Sequence, residues 1–487
     1  PDALVAQGIR AKYGIFGNSP VDRVATPGDI SFALRNDERN SGALRGYYSP
    51  NHANVRSGFT IGVGARLAIT YSGSTFYKWV GTLNSIKPMP GKFQSQIVEC
   101  TAEDWFGRAM AQKMRLQGIQ VNVRSDQGIA SVIGNMNTPP PASSLAAGQS
   151  TFPTVFDSTL DEKTFALREL QKIVVSEQGF LYPNGDQTTG GVLVFDDRHT
   201  RPKVGTSSAS FNDSMVDMDT KRESARIFNR IRVTSYPREV AAAASVLFTL
   251  QSTPLVPQQG SALLVGYYTD PAARGSTRVG GASMITPAST TDYTMNAASS
   301  GGGANLTANF SVAASYGGNS VAYSIVNTGT TAGYITLLQA RGILVVSREP
   351  TIAERADINS IGSYDERELN FDMPYLDDPL VADDAANALL AAWKDPTTQI
   401  DQITFVANKS DALMQQAMFR EPGDKITITE TQTGVNTDFF IQGVELEIGP
   451  NNLITVSWVV APASAVNFWI LGVVGSSEMG TTTILGY

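Results

Sequence analysis

Any chemistry in this sequence would have to start from two histidines, one cysteine and a few clusters of carboxylates. The densest cluster is Asp196-Asp197-Arg198-His199, which places acid, cation and imidazole in consecutive positions. Neighbouring residues on an extended chain point to opposite faces, so this run converges on one substrate or metal only through a special bend. A hydrogen-bonded structural cluster is the expectation. His52 follows Pro50-Asn51 and reads as a turn residue. Glu354, Asp357, Asp365, Glu366 and Glu368 contain enough carboxylates for a glycosidase pair, but that chemistry needs a fixed separation which spacing in sequence does not set. A solvated acidic surface is the expectation there. Cys100 is alone, so it forms no internal disulfide and has no zinc-ligand spacing around it. Gly301-Gly302-Gly303 lacks the helix start that cradles a phosphate, and no P-loop, His-Glu-x-x-His or Gly-x-Ser-x-Gly is present. No catalytic, cofactor-binding or metal-binding residue is assigned, no cofactor is expected, and the chain is read as a non-enzyme.

The elements that would have to position these residues are mostly strands. The 487 residues exceed one ordinary domain, and 42% hydrophobic content supports several cores. Charged residues make up only 17%, below the roughly 25% of an average globular protein. That fits either a surface covered by neighbouring subunits or a Ser/Thr/Gly-rich β surface. A net charge of −8 argues against a nucleic-acid binder, which needs a basic stripe to neutralise phosphates. No secretory leader is legible, and a chain without covalent staples suits a reducing cytoplasm. Val456–Gly475 is apolar, but Pro462, Asn467 and serines interrupt it, so strands are expected in place of a membrane span.

Five segments follow from composition and periodicity. Residues 1–115 read as a β-barrel domain, with strands at Ile30–Leu34, Arg66–Tyr71, Phe76–Leu83 and Gln94–Cys100. Residues 116–240 read as an α+β middle domain with a helix over about 160–178. A capping box at Thr159-Leu-Asp-Glu162 would open it, and Gly179 would close it. A hairpin around Asn184-Gly185 follows. Residues 241–346 read as an inserted β-sandwich; from Ala241 to Ala340 the charged residues are Asp270, Arg274, Arg278 and Asp292. Residues 347–415 read as a helical connecting region with a helix near Asp384–Lys394, opened by Asp383 or Asp384. Residues 416–487 read as a second β-barrel with C-terminal strands. The fold class is thus mainly β with α+β parts: two related small β-barrels, a helix-containing middle domain and an inserted β-sandwich.

The relation between the two barrels is an internal repeat. Arg66–Tyr71, a Gly/Ser turn, Phe76–Gly81 with Leu83 and Ile86, Pro90-Gly91 and a strand to Cys100 form one copy. Lys425–Thr429, a polar turn, Asp438–Gly443 with Val444 and Ile448, Gly449-Pro450 and Leu453–Val460 form the other. Each has an aromatic strand broken by glycine, a sign of a bulge or barrel corner. Three such chains would present six similar units in a ring.

Several pieces resemble the tail-hub (baseplate-hub) proteins of tailed bacteriophages. They are Tyr13-Gly-Ile, Pro20–Asp29, Phe32–Asn36, Gly46–His52 and Asp104-Trp105; then Gly179–Tyr182, Val194–His199, Asn229–Arg238, Trp469-Ile-Leu-Gly and Gly480–Tyr487. The resemblance implies a structural homotrimer at the tail tip of the virion. It also implies contacts with a distal tail protein, a tape-measure protein and a tail fibre or central spike protein, around a DNA exit channel. No sequence-specific nucleic-acid contact is implied. The 241–346 module has no counterpart in smaller hubs, and its tyrosines make a host-cell surface contact, receptor or glycan, an alternative role. A peptidoglycan-cleaving tail enzyme is a further alternative.

Overall fold

A computed structural model of the chain describes residues 2–17, 19–89, 96–114, 117–156, 164–185, 191–272, 278–396, 399–463, 467–468 and 483–484. The chain is mainly β, and its first and last segments meet in one eleven-stranded sheet. The strands of this sheet, numbered in chain order, are β1 (Ile9–Gly14), β2 (Asp29–Arg35), β3 (Gly64–Tyr71), β4 (Ser74–Met89), β5 (Ile97–Glu103), β6 (Ala209–Asn212), β7 (Asp217–Lys221), β8 (Gln399–Val406), β9 (Lys425–Glu430), β10 (Val435–Ile448) and β11 (Ile454–Pro462). Their order is β7-β8-β11-β10-β1-β2-β5-β4-β3, with β9 attached to β10 and to β6.

The repeat is explicit in this order. In the first copy β2 pairs with β5, β5 with β4 and β4 with β3, all antiparallel. In the second, β8 pairs with β11, β11 with β10 and β10 with β9, again all antiparallel. The third strand of each copy carries a bulge, after Leu83 in β4 and after Ile441 in β10. At both bulges the preceding residue is pinched by the turn before the second strand. Leu83 exchanges hydrogen bonds with Gly62 (2.8 Å) and Val63 (2.9 Å); Ile441 does so with Gly423 (2.8 Å) and Asp424 (2.9 Å). Gly62 (φ +86°) and Gly423 (φ +93°) both adopt the left-handed region that admits glycine without strain.

Two expectations are corrected here. Gly81 and Gly443 are not counterparts: the registers make Ser85 the equivalent of Gly443. Gly81 is glycine for another reason, because a Cβ there would strike the Glu103 carbonyl and the Trp79 ring. Nor does either copy close into a barrel among the described residues. β1 instead welds them edge to edge, pairing with β2 on one side and with β10 on the other. A single core spans both copies, from Trp79, Val98 and Cys100 to Phe405, Ile441 and Trp458.

Besides a small cluster at Ile119, Ala282 and Val345, three smaller cores accompany this sheet among the described residues. One gathers the Ser125–Asn135 and Ala166–Glu177 helices over a sheet of Ala142–Leu145, Val192–Asp196 and Phe180–Asn184. Leu167, Leu170, Ile173 and Val174 are buried on one helix face. The proposed capping box at Thr159–Glu162 lies outside the described residues. The left-handed residue that ends the helix is Gln178 (φ 58°), where Gly179 was expected. A Cβ on Gly179 would lie 2.5 Å from the Asp196 carbonyl, so its smallness serves the sheet contact.

A second core lies where Arg230–Ser235 pairs with Thr351–Ala356 and Glu368–Asp372 under the Pro379–Trp393 helix. That helix begins earlier than Asp384 because Asp378 accepts the Leu380 N–H and Pro379 occupies the first turn, where a missing N–H costs nothing. The third core lies between a five-stranded and a three-stranded sheet and contains Leu247, Tyr268, Met295, Tyr323 and Leu338. The buried Asp292 carboxylate is held there by both arms of Arg341 (2.6 and 2.9 Å).

Candidate functional site

The clusters that suggested chemistry are occupied by structure. Asp196 accepts from Tyr182 (2.9 Å) and Arg201 (3.3 Å). Asp197 turns the other way, accepting from Gln149 (2.9 Å), the His199 N–H (2.7 Å) and Thr200 (3.0 Å). Burial acts to raise the Asp197 carboxyl, but these donors outweigh it and hold it below its ordinary range. Burial and the neighbouring Arg198 lower the His199 imidazole, favouring its neutral form. Arg198 reaches Ser150 (2.7 Å), so the four side chains do not converge. Glu354, Glu366 and Glu368 form a ladder with Arg230 and Arg232 across neighbouring strands. Asp357 caps the Ile358–Tyr364 helix and pairs with Lys394 (2.8 Å). His52 accepts the Asn54 N–H (3.1 Å) within an exposed turn. Cys100 is buried in the main core, which pushes its thiol up to about 12. Among the described residues no group of three or more His, Cys, Asp or Glu could hold a metal, and no helix is long and apolar enough to cross a membrane.

What the fold does concentrate is the seam around β1. All six β1 residues pair with β10, from Ile9↔Ile448 to Gly14↔Gly443. Lys12, Ala11 and Arg10 also register on β2. Side chains reinforce the register: Arg10 meets Glu447 (3.0 Å) and Lys12 meets Asp29 (3.2 Å). Gly14 (φ +105°) lets the strand leave the sheet against the Gln442 carbonyl, which a Cβ would approach to 2.5 Å. The same carbonyl accepts the Ile15 N–H (2.8 Å).

Beneath the seam lies a buried ion pair that sequence reading missed. The Lys78 side chain, on β4, is 1% exposed and donates to Glu421, to the Met418 carbonyl (3.1 Å) and to the Arg420 carbonyl (3.0 Å). These carbonyls end the Asp411–Phe419 helix of the second copy, where a cation is favoured by the helix dipole. Glu421 accepts in turn from Tyr13 of β1 (2.8 Å). Burial pushes the Glu421 carboxyl up against the opposing pull of Lys78. The triad therefore ties both copies to the bridging strand. A second tie runs through Arg201, which is stacked 3.6 Å over Phe180 and donates to Gln442 (3.0 Å) at the second bulge. A lysine between two aromatics in Tyr77-Lys78-Trp79 was the only sequence signal for any of this.

A cavity of about 220 Å³ adjoins the seam, lined by Trp79, Asp104, Phe106, Pro139, Pro183 and Leu193. Asp104 caps the Trp105–Ala111 helix through the Phe106 N–H (2.9 Å), while its Oδ2 is buried without a hydrogen-bond partner among the described residues. Burial pushes this carboxyl up to about 7.

With this geometry in place, the chain can be set beside known proteins. No family model matches it, and no curated protein sequence does. Among solved structures it is similar to phage tail proteins. It is 9% identical to the 43 kDa tail protein of prophage MuSo2 from Shewanella oneidensis, over 94% of each chain with a TM-score of 0.47. It is 10% identical to a tail protein from Neisseria meningitidis MC58, over 93% of this chain and 90% of that one with a TM-score of 0.45. It is 6% identical to prophage tail protein gp18 from Listeria monocytogenes EGD-e, over 94% and 89% with a TM-score of 0.38.

Two outcomes test the seam. Lys78→Met leaves Glu421 buried without its counter-charge and should cost about 3–5 kcal/mol in denaturant unfolding. Adding Glu421→Gln should recover part of that, and no recovery would mean that Lys78 acts by packing alone. Asp104, with its folded value raised from 3.8 to about 7, contributes most below pH 4 and loses that contribution as pH rises through 7. The denaturation midpoint of Asp104→Asn relative to the parent should therefore climb between those limits and level off above them; a flat difference would sink the assignment.

Proposed function

We propose that this chain is a structural tail-hub protein of a bacteriophage tail tip. Three copies form a ring of six related four-stranded units that joins the tail tube to the central tip or fibres and surrounds the DNA exit channel. The observation that carries this reading is the duplicated unit itself, with the same strand order, the same bulge and the same glycine pinch in both copies. A duplicated unit joined through a bridging strand at one junction is what a two-unit segment of a ring requires, and closed rings are the usual outcome of such head-to-tail contacts. The resemblance at Pro20–Asp29, Gly46–His52 and Asn229–Arg238 points to the same family. The expected neighbours are a distal tail protein, a tape-measure protein and a fibre or spike protein. The acidic balance of the chain suits a ring that must not grip phosphate.

Native mass measurement of the purified chain should give three times its 52.0 kDa. A chain that stays monomeric at every concentration, and shows no affinity for other tail proteins, would end this reading.

A second role is favoured for the sandwich alone. Leu263, Val265 and Tyr267 lie along one strand at 75%, 59% and 38% exposure, an apolar row of the kind that marks an interaction site. If it contacts a host-cell surface, Leu263→Ser with Val265→Ser should abolish adsorption of the full chain to host cells without changing its mass. Undiminished adsorption would remove the role.

A further inference from the structure

The two copies differ in one respect, and the difference predicts an interface. In the second copy, the part of β10 beyond the bulge, Gly443–Ile448, is covered by β1. The equivalent part of β4, Ser85–Met89, has no strand partner on that side among the described residues. The burial differs accordingly: Gly443, Val444 and Leu446 are buried, whereas their equivalents Ser85 and Pro88 are exposed and Ile86 is half-buried. The bulge residues differ in the same way. Gln442 is buried under Ile15 and Arg201, and Asn84 is exposed.

The counterpart of β1 is also present. As β1 runs antiparallel to β2, the first strand of its copy, so β7 runs antiparallel to β8, the first strand of the other. β1 has a third-strand partner on its far side; β7 has none among the described residues. Each chain therefore has one filled junction and the two halves of a second. We propose that β7 of one copy of this chain adds to the open edge of β4 in the next, reproducing between chains the seam that β1 makes within one. This rests on the reading of the chain as a ring subunit and names the surfaces that close the ring.

The registers fix the pairing. Arg10 faces Ser31, and Asp219 faces Gln402; Ser31 and Gln402 are equivalent through Thr101 and Val459. Arg10 faces Glu447, and Glu447 is equivalent to Met89 through their partners Thr455 and Ile97. Asp219 should therefore lie opposite Met89 of the neighbour, with Lys87 on the same face two residues away, within reach for a diagonal contact. Within the chain a basic strand (Arg10, Lys12) meets an acidic edge (Glu445, Glu447). Between chains β7 would bring Asp217, Asp219 and Lys221 to an edge whose charge is Lys87, with Lys221 directly opposite Lys87 and Asp219 diagonal to it. Strand addition of this kind draws affinity from main-chain hydrogen bonds and register from side chains.

The test is oxidative cross-linking between co-expressed, differently tagged full chains, one carrying Met89→Cys and the other Asp219→Cys. Both sites are exposed, and native Cys100 is buried. A covalent heterodimer is expected from this pair, and none when Asn84→Cys, displaced by roughly 15 Å along the strand, replaces Met89→Cys. A trimer by native mass in which the Met89→Cys and Asp219→Cys chains do not cross-link, or do so no faster than the displaced pair, overturns the interface and leaves the ring reading standing. A chain that is monomeric throughout overturns both.

Discussion

Six residues hold the large sheet together. β1 is flanked by two strands that lie at opposite ends of the chain, and without it the two four-stranded copies would each end on an open edge. A sheet edge left in water offers unpaired donors and acceptors to any other strand, so the junction has to be specified well. Three kinds of interaction do this at once. Main-chain pairing runs the full length of the strand on the β10 side. Arg10 and Lys12 select acidic partners on either side. Tyr13 reaches under the sheet to Glu421, which is held by Lys78. A buried ion pair is weak evidence for stability, because desolvation offsets much of the attraction. Here it has a positional role, since Lys78 also satisfies two carbonyls at the end of a helix and so fixes the second copy relative to the first.

That arrangement explains how one connection tolerates so much inserted chain. The loop from β1 to β2 spans residues 15–28, whereas the matching connection from β7 to β8 spans 222–398 and contains the Arg230–Ser235 sheet, its helix and the whole sandwich. Extra chain in a surface connection costs little closure entropy when it folds on its own core. The sandwich does so, with Tyr268 and Tyr323 fully buried and Asp292 neutralised by Arg341 within the module. Its low charge is thus only partly a matter of covered surface: most of its Ser, Thr and Gly residues lie on strands and turns, and the apolar row at Leu263–Tyr267 is confined to one strand.

The parts of this fold legible in sequence are those governed by local rules. Alternation placed β2, β3 and β5 to within three residues and β4 as far as its bulge, missing Asn84–Met89 beyond it; helical periodicity found the buried face of Ala166–Glu177, and the tendency of adjacent residues to diverge on an extended chain foresaw that Asp196 and Asp197 would point apart. Errors arose wherever distant chain decided the outcome. Gly81 and Gly443 looked equivalent because glycines break strands, but register across β5 and β11 sets the bulges, and each glycine is needed for a different close approach. Closed barrels are the expectation from short, regularly spaced strands with glycine breaks. The strand that turns two would-be barrels into one sheet lies at the far end of the sequence from its β10 partner, and no local pattern marks it. Lys78 was invisible for the same reason: an isolated lysine on a strand reads as a solvated residue until the helix end it caps is brought beside it.

The open stretch of β4 is guarded, not neglected. Asn84, Ser85 and Lys87 are polar, and Pro88 brings no donor, which are the features that discourage indiscriminate pairing at an edge. An incoming strand has to accept a partner lacking one donor and offer a carboxylate within diagonal reach of Lys87, as Asp219 does in the proposed register. β1 has no such carboxylate, its charged residues being Arg10 and Lys12, whereas the Lys221 that β7 sets opposite Lys87 is paired with Asp219 (2.9 Å) of the same strand. The Asp219 carboxylate therefore separates the two strands that could serve at this edge, so that the intrachain and interchain seams, built on the same strand order, are not interchangeable.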